Sequence, residues 1–370
     1  MQGGKRSRST PRAFWLVPGA GSGYLPRMDE SPRPPRRKRY AGKHPRRFEE
    51  KYKEHQPERY SETIGKVIES GKTPAGMHVP IMVAECLAAL DLLPGKCGID
   101  TTLGYGGHAR EILSRIAPGG HLIGLDVDPI EQPRTLERLR KLGFGEDVFT
   151  AVHSNYAGIR KVLDRLARAE VDFVFADLGC SSMQIDDPER GFTFKCEGPL
   201  DMRMNPGRGL SAADWLARIS PVKLALALQE NADEPRAEEI AAAIAGKHFA
   251  STRELVDALR SCPDLAAMDQ ERKDLAIRRV FQAIRIEVNE EFSALDAFLR
   301  QLPHCLAPGG RVAILTFHSG EDRRVKKSFQ SGLRDGLYHL ISDSVTLAGP
   351  AERRLNPRSI PAKLRWAQRA

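Results

Sequence analysis

No stretch of apolar residues in this chain reaches the roughly 18 that a membrane-spanning helix requires. The six cysteines form no Cys-x-x-Cys pair, which argues against a zinc or iron–sulfur site and against a disulfide scaffold. They are Cys86, Cys97, Cys180, Cys196, Cys262 and Cys305. No internal repeat with a period of roughly 20–50 residues is visible. We therefore expect a globular protein from a reducing compartment, with no metal site.

Acidic residues are scarce near the N-terminus, where the first is Asp29. Residues 1–60 contain 16 Lys and Arg but only 6 Asp and Glu, whereas the other 310 residues contain 41 and 42. Residues 1–48 are predicted to form a basic, disordered arm, followed by a helical linker over 49–76. Such an arm suits a polyanion such as RNA, DNA or an anionic membrane face, and charge alone fits a solvated tail equally well.

The composition of this arm leaves two cellular locations open. An Arg- and Ser-rich segment with so few acids resembles an organelle transit peptide. Its prolines and glycines disfavour an amphipathic helix, however. We expect a cytoplasmic enzyme with a dispensable leader, and an organelle is the alternative.

Apolar runs alternate with helical segments between residues 97 and 177. Strands are predicted at Cys97–Thr101, His121–Leu125, Val148–Val152 and Val171–Ala176, with helices between them. This alternation predicts an α/β protein with a parallel, doubly wound sheet. It resumes only later, with a helix over 280–301, a break at Pro308–Gly310 and a strand at Val312–Thr316.

Residues 186–279 interrupt the pattern. The first part, 186–208, is punctuated by Gly and Pro, and 211–276 is rich in Ala, Leu and Glu without a strand candidate. Connections in doubly wound sheets are ordinarily roughly 2–6 residues long. The segment is therefore predicted to be an inserted, all-helical subdomain for substrate recognition, which divides the sheet domain into 77–185 and 280–370.

A glycine-rich turn follows the first predicted strand. Gly104, Gly106 and Gly107 lie at the start of a helix, where glycines let a ligand approach the backbone and its free N–H groups. Asp126 ends the second strand, 22 residues after Gly104. A carboxylate in that place accepts hydrogen bonds from two ribose hydroxyls. This combination favours an adenosine-containing cofactor over a plain tight turn.

Two cofactors are compatible with this turn. The G-x-G-x-x-A pattern that starts at Gly104 formally matches a dinucleotide site, so an NAD-binding oxidoreductase is one alternative. Asp100 lies just before the turn, where it would repel a pyrophosphate but suit a cationic aminoacyl tail. Asp177 ends the fourth strand, where S-adenosylmethionine enzymes place substrate-facing residues. These two acids favour S-adenosylmethionine.

Ordered segments over about residues 76–370 resemble one enzyme family. They are His78–Met82, Gly106–His108, Leu122–Pro129, His153–Tyr156, Asp177–Phe192, Gly198–Met204, Phe281–Asn289, Ala307–Gly310, and Phe317–Ser319 with Glu321–Arg323. The chain resembles the S-adenosylmethionine-dependent family that methylates the exocyclic N4 of a cytosine in small-subunit (16S-type) ribosomal RNA. This resemblance implies a Rossmann-like class I methyltransferase sheet, with the inserted helical subdomain where that family has one.

The resemblance also implies site residues. Those for the cofactor are Gly106, Gly107, His108, Asp126, Tyr156, Asp177 and Gln184. Among them, Asp126 would hold the ribose, Tyr156 would stack near the adenine, and Asp177 would be the catalytic residue that accepts a hydrogen from N4. The plainer alternatives are that His108 is a solvent-exposed residue at a helix start and that Tyr156 is ordinary core.

The implied partner is small-subunit ribosomal RNA, in an assembled or late-assembling subunit, with no membrane partner and with a homodimer left open. The basic arm and basic residues within 323–327, 353–358 and 363–365 would contact phosphates. A non-catalytic RNA-binding factor for ribosome assembly is a further alternative. The family usually has Leu at Gly320, Tyr-Gly-Glu-Glu at Asn231–Glu234 and a small polar residue at Pro361, so the insertion surface and the C-terminal loop depart from its pattern.

Overall fold

A computed structural model describes residues 80–370 of the chain. The predicted basic arm at 1–48 and helical linker at 49–76 lie outside the described residues, as do His78 and Val79 of the first family-like segment. Within the described residues, no helix is both long and apolar enough to cross a membrane.

A single mixed sheet organises the described residues. Its strands are β1 Cys97–Asp100, β2 His121–Asp126, β3 Phe149–His153, β4 Val171–Asp177, β5 Leu306–Thr316, β6 Tyr338–Ile341, β7 Thr346–Leu347 and β8 Lys363–Arg369. The order across the sheet is β3-β2-β1-β4-β5-β8-β6, and β7 also pairs with β8. The first five strands of that order are parallel, while β8 is antiparallel to both β5 and β6. The parallel part confirms the doubly wound sheet expected from the alternation.

Helices precede, connect and follow these strands. They are α1 Val83–Leu90, α2 Gly107–Ile116, α3 Glu131–Lys141, α4 Ile159–Arg165, α5 Ser182–Asp186, α6 Ala212–Arg218, α7 Pro221–Ala232, α8 Ala237–Ile244, α9 Thr252–Arg260, α10 Pro263–Ala266, α11 Gln270–Val288, α12 Glu291–Gln301, α13 Ser319–Arg334 and α14 Pro350–Leu355. Helices α5–α12 all lie between β4 and β5 in the chain.

The buried apolar residues form three clusters. One contains residues of α4, α12 and α13 with Val174 and Ala176 of β4, and another contains residues of α1 and α2 with Phe173 and Phe175 of the same strand. Since side chains alternate along a strand, these two clusters lie on opposite faces of the sheet. The third lies within residues 192–284 and includes Leu216, Leu228, Ile244, Leu255 and Ile277. Helices α6–α11 thus have an apolar core of their own, whereas α12 packs on the sheet.

The structure differs from the sequence expectations in three elements. The helix expected over 280–301 is two helices, α11 and α12, separated at Glu290, whose φ of 52° interrupts the α-helical backbone. Helix α11 also runs across the boundary expected between residues 279 and 280. The expected break at Pro308–Gly310 lies inside β5, where the register with β4 is irregular between Val171 and Phe173. Strands β6–β8 were not expected at all.

Candidate cofactor and substrate site

Three carboxylates lie at the carboxyl edge of the parallel strands. Asp100, Asp126 and Asp177 are the last residues of β1, β2 and β4. These strands are neighbours in the order β2-β1-β4, so their ends lie side by side. This edge is where ligands bind in open α/β sheets.

Asp100 is almost fully buried, with 1% of its surface exposed. Its Oδ1 accepts a hydrogen bond of 3.1 Å from the N–H of Thr102, and its Oδ2 has no hydrogen-bond partner within residues 80–370. Burial, together with the charge of Asp126, raises the pKa of Asp100 to about 7. A buried carboxylate oxygen without a partner is costly unless a ligand supplies a donor.

Asp126 supports the glycine-rich turn directly. Its Oδ2 accepts a hydrogen bond of 2.7 Å from the N–H of Gly104, and its Oδ1 accepts one of 2.8 Å from the N–H of Asp128. Burial raises the pKa of Asp126 to about 6, although these backbone donors oppose the shift. Each carboxylate oxygen retains a further lone pair for a ligand hydroxyl.

The turn itself brings the start of α2 close to α3. Gly106 has a φ of 81° and precedes the helix as its N-cap. A Cβ at this position would lie 2.8 Å from Cγ2 of Thr135, so Gly106 is required both for its conformation and for close packing. A Cβ added at Gly107 would lie 3.1 Å from side-chain carbons of Pro80, which is tighter than an ordinary contact. Close packing therefore favours glycine at both positions, independently of the predicted contact with the cofactor.

His108 contacts the third carboxylate. Its Nε2 lies 2.9 Å from the carbonyl oxygen of Ile81, and because a carbonyl only accepts, Nε2 carries the hydrogen. Its Nδ1 lies 3.6 Å from Oδ2 of Asp177. The ring is buried and packs against Phe175. The alternative that His108 is solvent-exposed is therefore wrong.

Asp177 keeps one oxygen without a partner. Its Oδ1 is buried and forms no hydrogen bond within the described part of the chain. Burial raises the pKa of Asp177 to about 8, and the charges of Asp100 and Glu321 add to this shift. The backbone N–H of Asp177 donates to Oγ1 of Thr102 over 2.6 Å, which links the end of β4 to the residue after β1.

Gln184 lies in a buried polar network. Its Oε1 accepts from the N–H of Ser181, and its Nε2 donates to Oδ2 of Asp128 over 2.9 Å. Arg190 donates to the same Oδ2 over 2.8 Å and, through its other terminal nitrogen, to the carbonyl oxygens of Arg203 and Met204. The network fixes the loop after α5 to the end of β2. Asp128 was not singled out from the sequence, although its spacing of two residues from Asp126 was a usable signal.

Tyr156 contacts α12 rather than the glycine turn. Its hydroxyl donates to the carbonyl oxygen of Glu291 over 3.2 Å, and its ring meets Phe298 edge to face with centroids 5.6 Å apart. Burial raises the pKa of this phenol above its usual range. The side chain of Glu291 accepts two hydrogen bonds from Arg285, of 2.7 and 2.8 Å. These contacts fit the core alternative, and stacking on an adenine stays a prediction.

The predicted site residues thus fall into two groups. Gly106, Gly107, His108, Asp126 and Asp177 lie around the ends of β1, β2 and β4. Gln184 reaches this edge through Asp128, whereas Tyr156 packs against Phe298 of α12 in the apolar cluster on one face of the sheet. Among residues 80–370, no group of three or more His, Cys, Asp or Glu side chains is placed to bind a metal ion.

Comparison with known proteins identifies the family. The model of the MraW methylase family matches residues 75–370, which is most of the chain and all of the sheet and its insertion. This chain belongs to the MraW methylase family. The family assignment confirms the resemblance to S-adenosylmethionine-dependent methyltransferases of small-subunit ribosomal RNA, and it favours neither NAD-dependent oxidation nor a role without catalysis.

Close relatives cover nearly the whole chain. "Ribosomal RNA small subunit methyltransferase H 1" of Lachnoclostridium phytofermentans is 50% identical over 354 residues, which are 93% of this chain and 96% of that protein. "Ribosomal RNA small subunit methyltransferase H 2" of Alkaliphilus metalliredigens is 50% identical and covers 90% of this chain and 97% of its own. Among solved structures, a putative rRNA-methylase from Clostridium thermocellum is 12% identical over 80% of this chain and 100% of its own, with a TM-score of 0.39, which supports no further conclusion.

Proposed function

We propose that this member of the MraW methylase family transfers a methyl group from S-adenosylmethionine to the exocyclic N4 of a cytidine in small-subunit ribosomal RNA. The names of its relatives support the substrate class, since they are small-subunit ribosomal RNA methyltransferases. The choice of N4 rests on the resemblance of Asp177–Phe192 and the other quoted segments to the cytosine-N4 family.

One observation carries the choice of cofactor: three carboxyl groups end three neighbouring strands at one edge of the sheet. Asp100, Asp126 and Asp177 have pKa values of about 7, 6 and 8. Negative charges in a partly dry site repel one another and a pyrophosphate, whereas they attract an ammonium or a sulfonium. The edge therefore suits a cofactor with positive groups, as S-adenosylmethionine has, and is unfavourable for NAD.

The residues present also match the polar groups of that cofactor. The unpartnered Oδ2 of Asp100 would accept a hydrogen bond from the ammonium, and Asp126 would accept from the ribose hydroxyls. Gly106 and Gly107 leave the helix N-terminus open to a carboxylate. When bound, the cofactor supplies an electrophilic methyl group on sulfur.

Asp177 has the geometry of a proton acceptor. The lone pair of cytosine N4 is delocalised into the ring, so an acceptor on an N4 hydrogen increases its nucleophilicity as the new bond forms. As N4 takes the methyl group that the cofactor would supply, one N4 hydrogen would leave as a proton to Asp177. The unpartnered Oδ1 is available for this proton, while Oδ2 faces Nδ1 of His108. We assign the main catalytic contribution to this acceptor and to the positioning of the two reactants.

The finer details of the partner extend the proposal. We propose an assembled or late-assembling small subunit as the substrate, because residues 1–60 carry 16 basic groups suited to a phosphate-rich surface. A cytoplasmic location is proposed because the relatives are bacterial proteins that act on ribosomal RNA. The homodimer stays a prediction, and sedimentation of the purified protein would check it.

The decisive experiment compares three ligands at two pH values. Calorimetry at pH 9 should detect S-adenosylmethionine, should detect S-adenosylhomocysteine more weakly because it lacks the sulfonium charge, and should detect no NAD. Lowering the pH to 5.5 protonates the three carboxyls and should weaken S-adenosylmethionine by about tenfold or more, since a pKa shift of one unit on binding corresponds to tenfold in affinity.

Activity is measured separately. Purified protein, labelled cofactor and small subunits that lack the modification should yield labelled N4-methylcytidine by mass spectrometry of the RNA. Label on another atom would contradict the assignment of N4, and tight NAD binding would contradict the choice of cofactor.

A further inference from the structure

A groove runs between α12 and α13 on one face of the sheet. Its lining is strongly basic, and the residues are Asp296, Leu299, Arg300, Arg324, Lys327, Ser328, Gln330, Ser331 and Arg334. Asp296 is its only acidic residue. The groove is separate from the carboxylate edge described above, and none of its residues belongs to the predicted cofactor site.

Most of these cations have no protein partner. Arg300, Lys327 and Arg334 are exposed and form no ion pair or hydrogen bond through their side chains within residues 80–370. Arg324 lies 3.5 Å from Asp296 and stacks over the ring of Phe292, 3.7 Å from its centroid. Three charges therefore face solvent without compensation, and the fourth is only loosely paired.

Some cations of the other basic segments expected to contact RNA are already paired. Arg365 donates to both carboxylate oxygens of Asp322, Lys363 lies 3.6 Å from that carboxylate, and Arg358 pairs with Asp186. Arg365 is also buried. The expectation that 363–365 contacts phosphates is wrong for Arg365, because its guanidinium is occupied inside the protein. Unpaired cations are available in the groove instead.

The groove has a defined direction relative to the site. Helix α13 starts three residues after β5 ends at the carboxyl edge, and it leads away from that edge. Asp233, which follows α7 of the insertion, accepts a hydrogen bond of 3.0 Å from Ser319 at this start. Arg324, Lys327 and Arg334 recur at helical spacing over about 15 Å of α13, given a rise of roughly 1.5 Å per residue. The first groove residue of α13, Arg324, lies five residues after Ser319, and the groove follows the helix outward from there.

We propose that this groove binds the sugar–phosphate backbone of the RNA strand that leads away from the target cytidine. The inference rests on the proposed function for its choice of polyanion. Arg, Lys, Ser and Gln are the side chains that most often contact phosphates, and the groove contains all four. The basic N-terminal arm is excluded as the occupant because it has the same sign of charge.

The test neutralises the unpaired cations. A triple variant Arg300→Gln, Lys327→Gln, Arg334→Gln is compared with a control triple Arg115→Gln, Lys161→Gln, Arg165→Gln, which removes the same charge from exposed, unpaired positions on α2 and α4. Both use the full chain. The probe is transcribed small-subunit ribosomal RNA, and its affinity is measured from 50 to 300 mM salt.

The groove variant should bind RNA about tenfold or more weakly at low salt, with the slope of log affinity against log salt reduced by about 2, since each lost contact to single-stranded RNA removes roughly 0.7. The control should change affinity by less than about threefold, and cofactor affinity should be unchanged in both. Equal losses in the two variants, or no loss in either, would overturn the proposal. The proposal would also be overturned if RNA bound the groove variant and the wild type equally while polyglutamate bound the wild type alone. That result would indicate an acidic protein partner.

The outcome is distinguishable from failure of the proposed function. If the wild-type protein binds RNA through the groove but shows neither cofactor binding nor methyl transfer, the function is wrong and the groove assignment stands. If methyl transfer is observed and the groove variant binds RNA like the control, the groove assignment alone is wrong.

Discussion

Asp177 combines a raised pKa with one contacted and one uncontacted oxygen. Oδ2 faces His108, whose other nitrogen is fixed by the carbonyl of Ile81, while Oδ1 has no partner within residues 80–370. A proton acceptor needs to be both oriented and available, and this arrangement provides the two conditions on different atoms. It also lets experiments separate the role of Asp177 from the ribose binding that we propose for Asp126.

Asp177→Asn should slow methyl transfer without a matching loss of binding. The amide retains the shape but lowers the basicity at the position of the acceptor, so we expect a single-turnover rate lower by about 100-fold or more at saturating cofactor and RNA. Cofactor affinity should change far less. A wild-type rate at saturation would remove Asp177 from the catalytic role, and an affinity loss with an unchanged rate would make it a binding residue.

The same variant should alter the pH dependence of stability. Because the folded-state pKa of Asp177 is raised to about 8, its contribution to stability is fully present below the ordinary pKa near 4 and is lost as pH rises through 8. Asp177→Asn removes this loss, so its melting temperature should exceed that of the wild type at pH 9 by at least about 2 °C. Little difference is expected at pH 4 or below, with the gap widening as pH rises from 4 to 8. A variant less stable than wild type at pH 9 would contradict the raised pKa.

Asp126→Ala should weaken the cofactor and loosen the turn together. The substitution removes acceptors for Gly104 and Asp128 as well as for ribose, and a hydrogen bond to a charged group contributes roughly 1.5–3 kcal/mol. Calorimetry should show affinity for S-adenosylmethionine lower by at least about tenfold. Asp126→Asn keeps one acceptor oxygen, so its cofactor affinity should lie between those of the wild type and Asp126→Ala. Normal affinity in Asp126→Ala, with circular dichroism unchanged, would contradict the cofactor assignment.

At this scale the sequence predicts chemistry better than contacts. The position of Asp126 after β2 and of Asp177 after β4 follows from strand ends, which periodicity locates well. Other contacts join residues far apart in the chain. The hydrogen bond between His108 and Ile81 spans 27 positions, and the one between Gln184 and Asp128 spans 56. No local pattern contains such pairings, so they needed the structure.

Among the elements, the start of α13 departs most clearly from the family pattern. A Cβ at Gly320 would lie 2.6 Å from Cζ of Phe292 on α12, so this glycine lets the aromatic ring pack against α13. Phe292 is buried and also contacts His318 and Arg324. The Leu that the family usually has at this position requires a smaller neighbour.

Gly320→Leu should therefore be destabilising on its own, by about 1–3 kcal/mol, because it overpacks a filled site. Combined with Phe292→Ala, it should cost less than the sum of the two single substitutions, with a coupling of roughly 0.5–3 kcal/mol. Urea unfolding of the four proteins measures this cycle. Additive losses would show that the two positions do not compete for space.

The elements themselves were predictable where periodicity is strong. The first four strands and the helices between them follow the expected alternation within a few residues. The break at Glu290 was missed because a single residue with positive φ leaves no signature unless it is Gly or Asn. The predicted strand Val312–Thr316 is shorter than β5 because Pro308–Gly310 resembles a turn in sequence. In the structure these residues form an irregular part of the strand.

For the whole molecule, the basic N-terminal segment is predicted to act through charge. Deleting residues 1–48 should lower RNA affinity and flatten its salt dependence, since these residues carry 13 Lys and Arg and 2 Asp and Glu and so account for all of the chain's net positive charge of +9. Cofactor affinity should stay within about twofold of the wild-type value, because the predicted cofactor site lies at the ends of β1, β2 and β4. A lost ligand contact of even 1.4 kcal/mol would change the affinity about tenfold. An unchanged salt slope would make the segment a leader or spacer.

Strand β8 has a consequence for how the protein is made. It lies between β5 and β6 in the sheet but follows both in the chain, and within residues 80–370 β6 pairs with no other strand. During translation, β5 and β6 therefore expose open edges until Lys363–Arg369 has been synthesised. Such edges invite pairing with other chains, and non-local strands pair slowly. Nascent chains that stall before residue 363 should consequently depend on chaperones, whatever the stability of the finished enzyme.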